Sequence, residues 1–199
     1  MKKLLLTSAL VLWTGASAIA APIVGEMAPV WTGTDTKGVE HTLSDFKGKT
    51  VVMEWTNHEC PYVKKHYDGG NMQALQKEST DEGVVWVSIV SSAEGKQGHT
   101  NAKEGEAVMK QVGSHATARI LDASGDIGKL YDAKTTPHMF VINPEGALAY
   151  AGAIDSDSSF KPDGIATATN YVSAALKSLA AGEAVEVAST QPYGCSVKY

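Results

Sequence analysis

Apolar residues in this chain fall into short unbroken runs separated by stretches where they recur every three or four positions. Residues 50–56, TVVMEWT, form one such run, and residues 83–90, GVVWVSIV, form another. Runs of this length, rich in β-branched and aromatic residues, predict strands buried on both faces. Ahead of them Val39, His41 and Leu43 share one period-2 face, which predicts a strand and then a turn before Gly48; residues 23–31 lead into it. The segment NHECPYVKKHY that follows the first buried run predicts a helix. Pro61 suits a first helical turn, where a missing N–H costs no bond. Cys60 therefore sits at or just before a helix N-terminus. Gly69-Gly70 interrupts that helix, and Met72, Leu75 and Gln76 carry it on toward Thr80.

Residues 91–101 are polar and predict a loop, and residues 102–115 predict an imperfectly amphipathic helix. Residues 118–133, ARILDASGDIGKLYDA, predict a short strand, a turn and a short helix from about residue 124 to 131. Residues 139–142 and 147–154, joined by Asn143-Pro144-Glu145-Gly146, predict a hairpin. Residues 155–164 are a polar loop, and residues 165–182 predict a last helix stopped by Gly182. Residues 183–199 show no clear period. Strands alternating with helices, then a hairpin and a closing helix, predict an α/β architecture. Its central mixed sheet is flanked by helices, parallel in the first half and antiparallel in the second.

The first twenty residues stand outside this pattern. Lys2 and Lys3, an apolar stretch and Ala18-Ile19-Ala20 read as a secretory signal peptide cut after Ala20 or Ala21. The apolar run is short for a membrane anchor, and no basic cluster stops it. The reading is residues 1–20 as signal, 21–182 as one domain and 183–199 as a tail. It implies export to the periplasm, where disulfides persist, and no membrane attachment after cleavage.

Charge narrows the partners. The chain of 199 residues carries 17 basic and 22 acidic residues; losing Lys2 and Lys3 takes the formal charge from −5 to −7. That balance argues against nucleic acid or anionic lipid as a partner. No nucleotide-binding glycine loop and no closed metal-ligand spacing is present, so no cofactor is expected. Cys60 with His58 or His66 matches no zinc pattern, and no metal is expected either.

The chemistry then rests on two cysteines, Cys60 and Cys195, 135 positions apart. A helix N-terminus favours the thiolate, which is the attacking form of cysteine. The strand before Cys60 ends at the carboxyl edge of the sheet, where open α/β folds place their sites. Lys64 and Lys65 one turn on read as a solvated face, His66 as a packing residue, and His58 as a residue able to tune the thiol. Thr136-Pro137, immediately before a strand, suits a cis peptide in a close approach to a neighbouring loop. Cys195 in PYGCSVKY lies in a tail able to move, with Tyr193 and Tyr199 to dock it. Three roles are open to it: redox partner of Cys60, static bridge, or unpaired thiol. A bridge to Cys60 would stabilise the fold by about 4–5 kcal/mol in the chain-entropy picture.

The segments VVMEWTNHECPYVKKHY, GVVWVSIVSS, ILDASGDIGKLYDAKTTPHMFVINPEG and PYGCSVKY resemble the thioredoxin-like superfamily, in its redoxin or AhpC/TSA (peroxiredoxin-like) branch. The resemblance implies a thioredoxin-like fold with Cys60 as the reactive cysteine and Pro137 as the cis-proline facing it. Thr136 becomes the residue whose backbone pairs with a bound thiol or peptide. Three departures stand out. Val63 occupies the place of a second cysteine in a Cys-x-x-Cys motif. Asn57 and Met53 stand where peroxiredoxins carry a hydroxyl residue and a proline, leaving Thr56 as the nearest hydroxyl. Arg119, the one arginine, does not match the peroxiredoxin position, to which His138 lies closer.

The resemblance implies an exported thiol oxidoreductase with catalytic Cys60, Cys195, Thr56, Thr136 and Pro137. The first expectation is peroxide reduction, with Cys195 resolving the sulfenic acid. The alternatives are protein thiol–disulfide exchange and a non-catalytic module binding a peptide, metal or protein. The expected partners are a peroxide or a protein thiol or disulfide, a thiol reductant protein, and a second copy if the tail reaches across a homodimer.

Overall fold

The computed structural model describes residues 21–199, so the signal-peptide reading of residues 1–20 lies outside the described residues. In chain order the elements are β1 (Thr32–Thr34), β2 (Glu40–Thr42), β3 (Val51–Trp55), α1 (Pro61–Asp68), α2 (Asn71–Asp81), β4 (Val85–Val90), α3 (Ala102–Gln111) and β5 (Ala118–Leu121). They continue with α4 (Asp126–Leu130), β6 (Thr135–Thr136), β7 (His138–Ile142), β8 (Leu148–Gly152), α5 (Tyr171–Ala180) and β9 (Cys195–Ser196).

The central sheet has the order β5-β4-β3-β7-β8. β3, β4 and β5 run parallel, while β7 lies antiparallel to both β3 and β8. This is the α/β thioredoxin-like fold with a mixed sheet that the alternation predicts. Both faces are buried, which explains the unbroken apolar runs. Val51, Met53 and Trp55 pack on one face with Val87, Ile89, Phe140 and Tyr131. Val52, Trp86, Met139 and Val141 pack on the other, beneath Val63 and Tyr67 of α1, Met72 and Leu75 of α2, and Val172 of α5.

Local boundaries follow from capping. Gly70, at φ +75°, makes the break between α1 and α2. α5 begins only at Tyr171, later than the apolar period suggests. The Asn170 side chain accepts the Ser173 N–H there, and residues 162–164 make a separate 3₁₀ turn.

The tail is docked, as Tyr193 and Tyr199 suggest, but through a short strand where the sequence shows no period. β9 pairs antiparallel with β6, Thr136 opposite Cys195 and Thr135 opposite Ser196. Beyond it, Val197 N–H donates to Lys134 O at 3.0 Å, and Ala93 N–H to Lys198 O at 2.8 Å. Tyr199 Oη donates to Ala133 O at 2.8 Å, its ring lying on Gly125 and Gly128, where a Cβ would meet it. No described helix is long and apolar enough to cross a membrane.

Candidate active site

Cys60 is the N-cap of α1, with Pro61 in the first turn. Its carbonyl accepts from Val63 N–H at 3.1 Å and Lys64 N–H at 2.9 Å, and its own N–H donates to Asn57 O at 3.0 Å. The thiol points to the start of the β7 strand. In its protonated form Cys60 Sγ donates to Thr136 O at 3.1 Å. The Thr136–Pro137 peptide is cis. The Thr136 hydroxyl is buried without a regular hydrogen-bond partner and lies beside the sulfur.

Cys195 arrives at the same point from the other end of the chain. Both cysteines are free thiols, and their side chains lie close enough to act on one another's ionisation. Their acidities are driven apart. Burial pushes the Cys60 thiol up, but Cys195, Thr136 and the Val63 N–H at the helix start outweigh it and hold Cys60 below the ordinary thiol value. Burial and then Cys60 itself push Cys195 up, to about 11. Of the two thiols, Cys60 is therefore the one that ionises first.

Gly194 makes this approach feasible. It sits at φ +141°, flat against the Thr136–Pro137 peptide, and a Cβ there would collide with the Thr136 carbonyl. The tail is anchored just before it by Tyr193. The Tyr193 hydroxyl donates to Asp155 and accepts from His66 Nε2 at 3.1 Å, while His66 Nδ1 accepts from Asn71 Nδ2 at 2.9 Å. Burial above all pulls the His66 imidazole down to about 4, so the ring is neutral near pH 7. Lys65 reaches the same cluster. Its Nζ lies 5.4 Å from the Tyr193 ring centre and donates to Asp157 O at 2.6 Å and Asp157 Oδ2 at 3.1 Å. The expectation that Lys64 and Lys65 form one solvated face is corrected: Lys64 is exposed, but Lys65 is buried because the loop after β8 supplies its carboxylates.

With the tail docked, Cys60 has 0% exposure, although Pro61, Glu59 and Lys64 around it are open. The structure therefore brings together Cys60, Thr136, Pro137 and Cys195. Thr56 lines a cavity that Cys60 does not, its N–H bonded to Ile89 O at 3.0 Å and its hydroxyl acting on Glu54. The His138 ring lies tilted at 45° with its centre 4.4 Å from that of Phe140, and burial pulls its imidazole down to about 4; its Nδ1 accepts from Lys134 N–H.

Two site residues escape the sequence reading. Gly194 has no local signal beyond being a glycine. Glu54 does have one, a carboxylate inside an apolar run. It is fully buried and accepts from Tyr67 Oη at 2.9 Å, Gln76 Nε2 at 3.0 Å, Trp86 Nε1 at 2.9 Å and Ser88 Oγ at 3.2 Å. Burial raises its pKa against the pull of those donors. Among the described residues no cluster of His, Cys, Asp or Glu could hold a metal ion.

Known proteins fall in line with this geometry. The chain is 32% identical over 124 residues to "Thiol-disulfide oxidoreductase ResA" of Bacillus subtilis (strain 168), covering 62% of this chain and 64% of that relative. A protein of the same name from Geobacillus kaustophilus (strain HTA426) matches at 32% over 81 residues, 37% of this chain and 47% of the relative. The chain thus spans less than two thirds of either curated relative. A crystal structure of a hypothetical protein from Sinorhizobium meliloti 1021 superposes with a TM-score of 0.78 at 22% identity, over 90% of this chain and 96% of that one, a likeness of fold alone. The AhpC/TSA family model matches residues 24–151, from the lead-in before β1 to β8. A thioredoxin-like sheet with a cysteine capping its first long helix, matched by that model over more than half its length, belongs to the AhpC/TSA family.

Proposed function

We propose that the protein is a thiol–disulfide oxidoreductase that works through Cys60 and Cys195. The carrying observation is that Thr136, paired opposite Cys195 on β9, also accepts the Cys60 thiol through its carbonyl, so the two free thiols converge on the Thr136–Pro137 peptide. In the reducing direction the Cys60 thiolate attacks one sulfur of a substrate disulfide. A Cys60–substrate bond forms, the substrate S–S bond breaks, and one substrate thiolate leaves. Cys195 then gives up its proton, attacks the Cys60 sulfur and expels the second thiolate. The substrate gains two electrons, and the protein is left with a Cys60–Cys195 disulfide for a thiol reductant protein to reopen. The reverse order oxidises a dithiol.

The curated relatives named thiol–disulfide oxidoreductases support this reading over peroxide reduction. So does the placing of Arg119 and Thr56 on the wall of a cavity that Cys60 does not line. Val63 in place of a second motif cysteine makes Cys195 the internal partner. The reading includes export of residues 21–199 after removal of residues 1–20, and residues 183–199 as a functional tail.

Mass spectrometry of wild type, C60S and C195S tests it after mixing each with a peptide disulfide or with hydrogen peroxide, one equivalent each. The expected result is a trapped Cys60–peptide disulfide in C195S, an internal bridge in wild type, and no adduct in C60S at neutral pH. Oxidation of Cys60 by peroxide much faster than by the peptide disulfide would return the assignment to peroxide reduction.

A further inference from the structure

The stripe of α1 carrying Tyr62 and His66 meets the tail. A different face of the same helix, with Val63, Lys64 and Tyr67, closes a cavity of about 100 Å³ against Val108 and Val112 at the end of α3. Arg119 of β5 borders this cavity and is only 4% exposed. Its Nε and Nη2 have no acceptor, and among the described residues it enters no ion pair. Glu54 and Tyr67 are near enough to act on its charge, but the Glu54 oxygens are taken by their own donors. A buried guanidinium with two unused N–H groups is costly unless something supplies the missing acceptors.

We propose that this cavity is a binding site for a small carboxylate, held by the Arg119 guanidinium. Nε and Nη2 are the two nitrogens whose parallel N–H groups a carboxylate accepts side-on. Lys64 adds a second cation at the wall, and the Thr56 hydroxyl and the Gln111 amide add polar contacts. The volume is about that of three waters, at roughly 30 Å³ each, which suits an acid of a few heavy atoms. Asp68, also on the wall, sets a single negative charge above a double one and disfavours phosphate. The site is independent of the thiol reading, since neither cysteine lines it.

The test titrates wild type with sodium acetate, with phosphate, and with chloride at matched ionic strength. Thermal unfolding and the His58 imidazole resonances are followed. Burial, then the charge of Arg119, hold the His58 imidazole below its ordinary value, and an anion on the guanidinium cancels the second cause. Acetate is expected to raise the unfolding temperature in proportion to the logarithm of its concentration. It should also move the His58 midpoint up. Chloride should do neither, and R119M should lose both responses while folding in acetate-free buffer. If R119M does not fold, the His58 titration of wild type decides alone. Acetate that leaves His58 unmoved, or that stabilises R119M equally, overturns the site. Phosphate binding more tightly than acetate overturns the carboxylate assignment.

Discussion

Replacing Gly194 by alanine should open the active site without unfolding the domain. The residue lies at φ +141°, a region that costs a side-chain-bearing residue about 1–3 kcal/mol. The new methyl also points at the Thr136 carbonyl and the Pro137 nitrogen, backbone atoms of the sheet that cannot swing aside. Against this, the end of the tail is held by the bonds from Val197, Ala93 and Tyr199, each contributing about 1 kcal/mol net. The clash rivals those bonds, so the open form gains at the expense of the docked one, while Tyr193 still anchors the tail. A loss of 1–3 kcal/mol lowers the docked-to-open ratio by a factor of about 5–150. Iodoacetamide alkylation of Cys60, followed by mass spectrometry across pH, reads both consequences. The limiting rate at high pH should rise by that factor, because Cys60 reacts only when the tail lifts. The midpoint reports the balance of what the lifted tail takes away, the burial that raises the thiol and the Cys195 contact that lowers it. Gly182→Ala is the control: φ there is +70°, but a Cβ would meet nothing within 4 Å, so the tail should stay docked. An unchanged limiting rate in Gly194→Ala would refute the idea that the docked tail shields Cys60.

Other consequences are equally direct. In wild type, Cys195 should alkylate only as pH approaches about 11; in C60S its midpoint should fall, because the neighbouring sulfur that raises it is gone. Tyr193→Phe removes the hydroxyl shared by Asp155 and His66 and should cost about 1–3 kcal/mol of tail docking, read as faster amide exchange confined to residues 183–199. Glu54→Leu strips the acceptor from Tyr67, Gln76, Trp86 and Ser88 and should cost about 3–5 kcal/mol in urea unfolding. The raised native pKa of Glu54 means the folded state holds its proton longer than the unfolded chain. The stability of wild type relative to Glu54→Gln should therefore fall as pH rises from the ordinary glutamate range through the native value. A flat difference across that range would show that Glu54 is ionised in the folded protein at no cost.

Legibility in the sequence followed the range of the interactions. β3 and β4 could be read because burial on both faces leaves an unbroken apolar run, and the α1–α2 break because Gly70 is a local cause. Cys60 at a helix start was readable from Pro61 alone. β9 was not, because two residues pairing with Thr135 and Thr136 some sixty positions away carry no period of their own. Lys65 looked like its neighbour Lys64 because its partners, Asp155 and Asp157, sit in a loop ninety positions later. Thr56 was the nearest hydroxyl in sequence; that it shares a strand face with Glu54, two residues before it, and acts on that carboxylate takes the buried partner to see. The resemblance to redoxins located the Cys60 and Pro137 pair; the preference for peroxide over disulfide chemistry came from counting cysteines and did not carry the geometry of the tail.

On the proposed function, the docked tail also ties electron transfer between Cys60 and Cys195 to folding. A Cys-x-x-Cys bridge closes one helical turn, and a loosened chain can keep it. Here the two sulfurs meet only after the sheet, the β6 edge and the Tyr193 anchor are all in place. Whatever a bridge adds to the fold, the fold adds to the bridge, since both are sides of one thermodynamic cycle. Chain-entropy stabilisation of about 4–5 kcal/mol therefore corresponds to roughly 100 mV in the reduction potential of the pair. A folded molecule should hold its disulfide far more tenaciously than an unfolded one, and any reductant that opens it must either match that potential or first lift the tail.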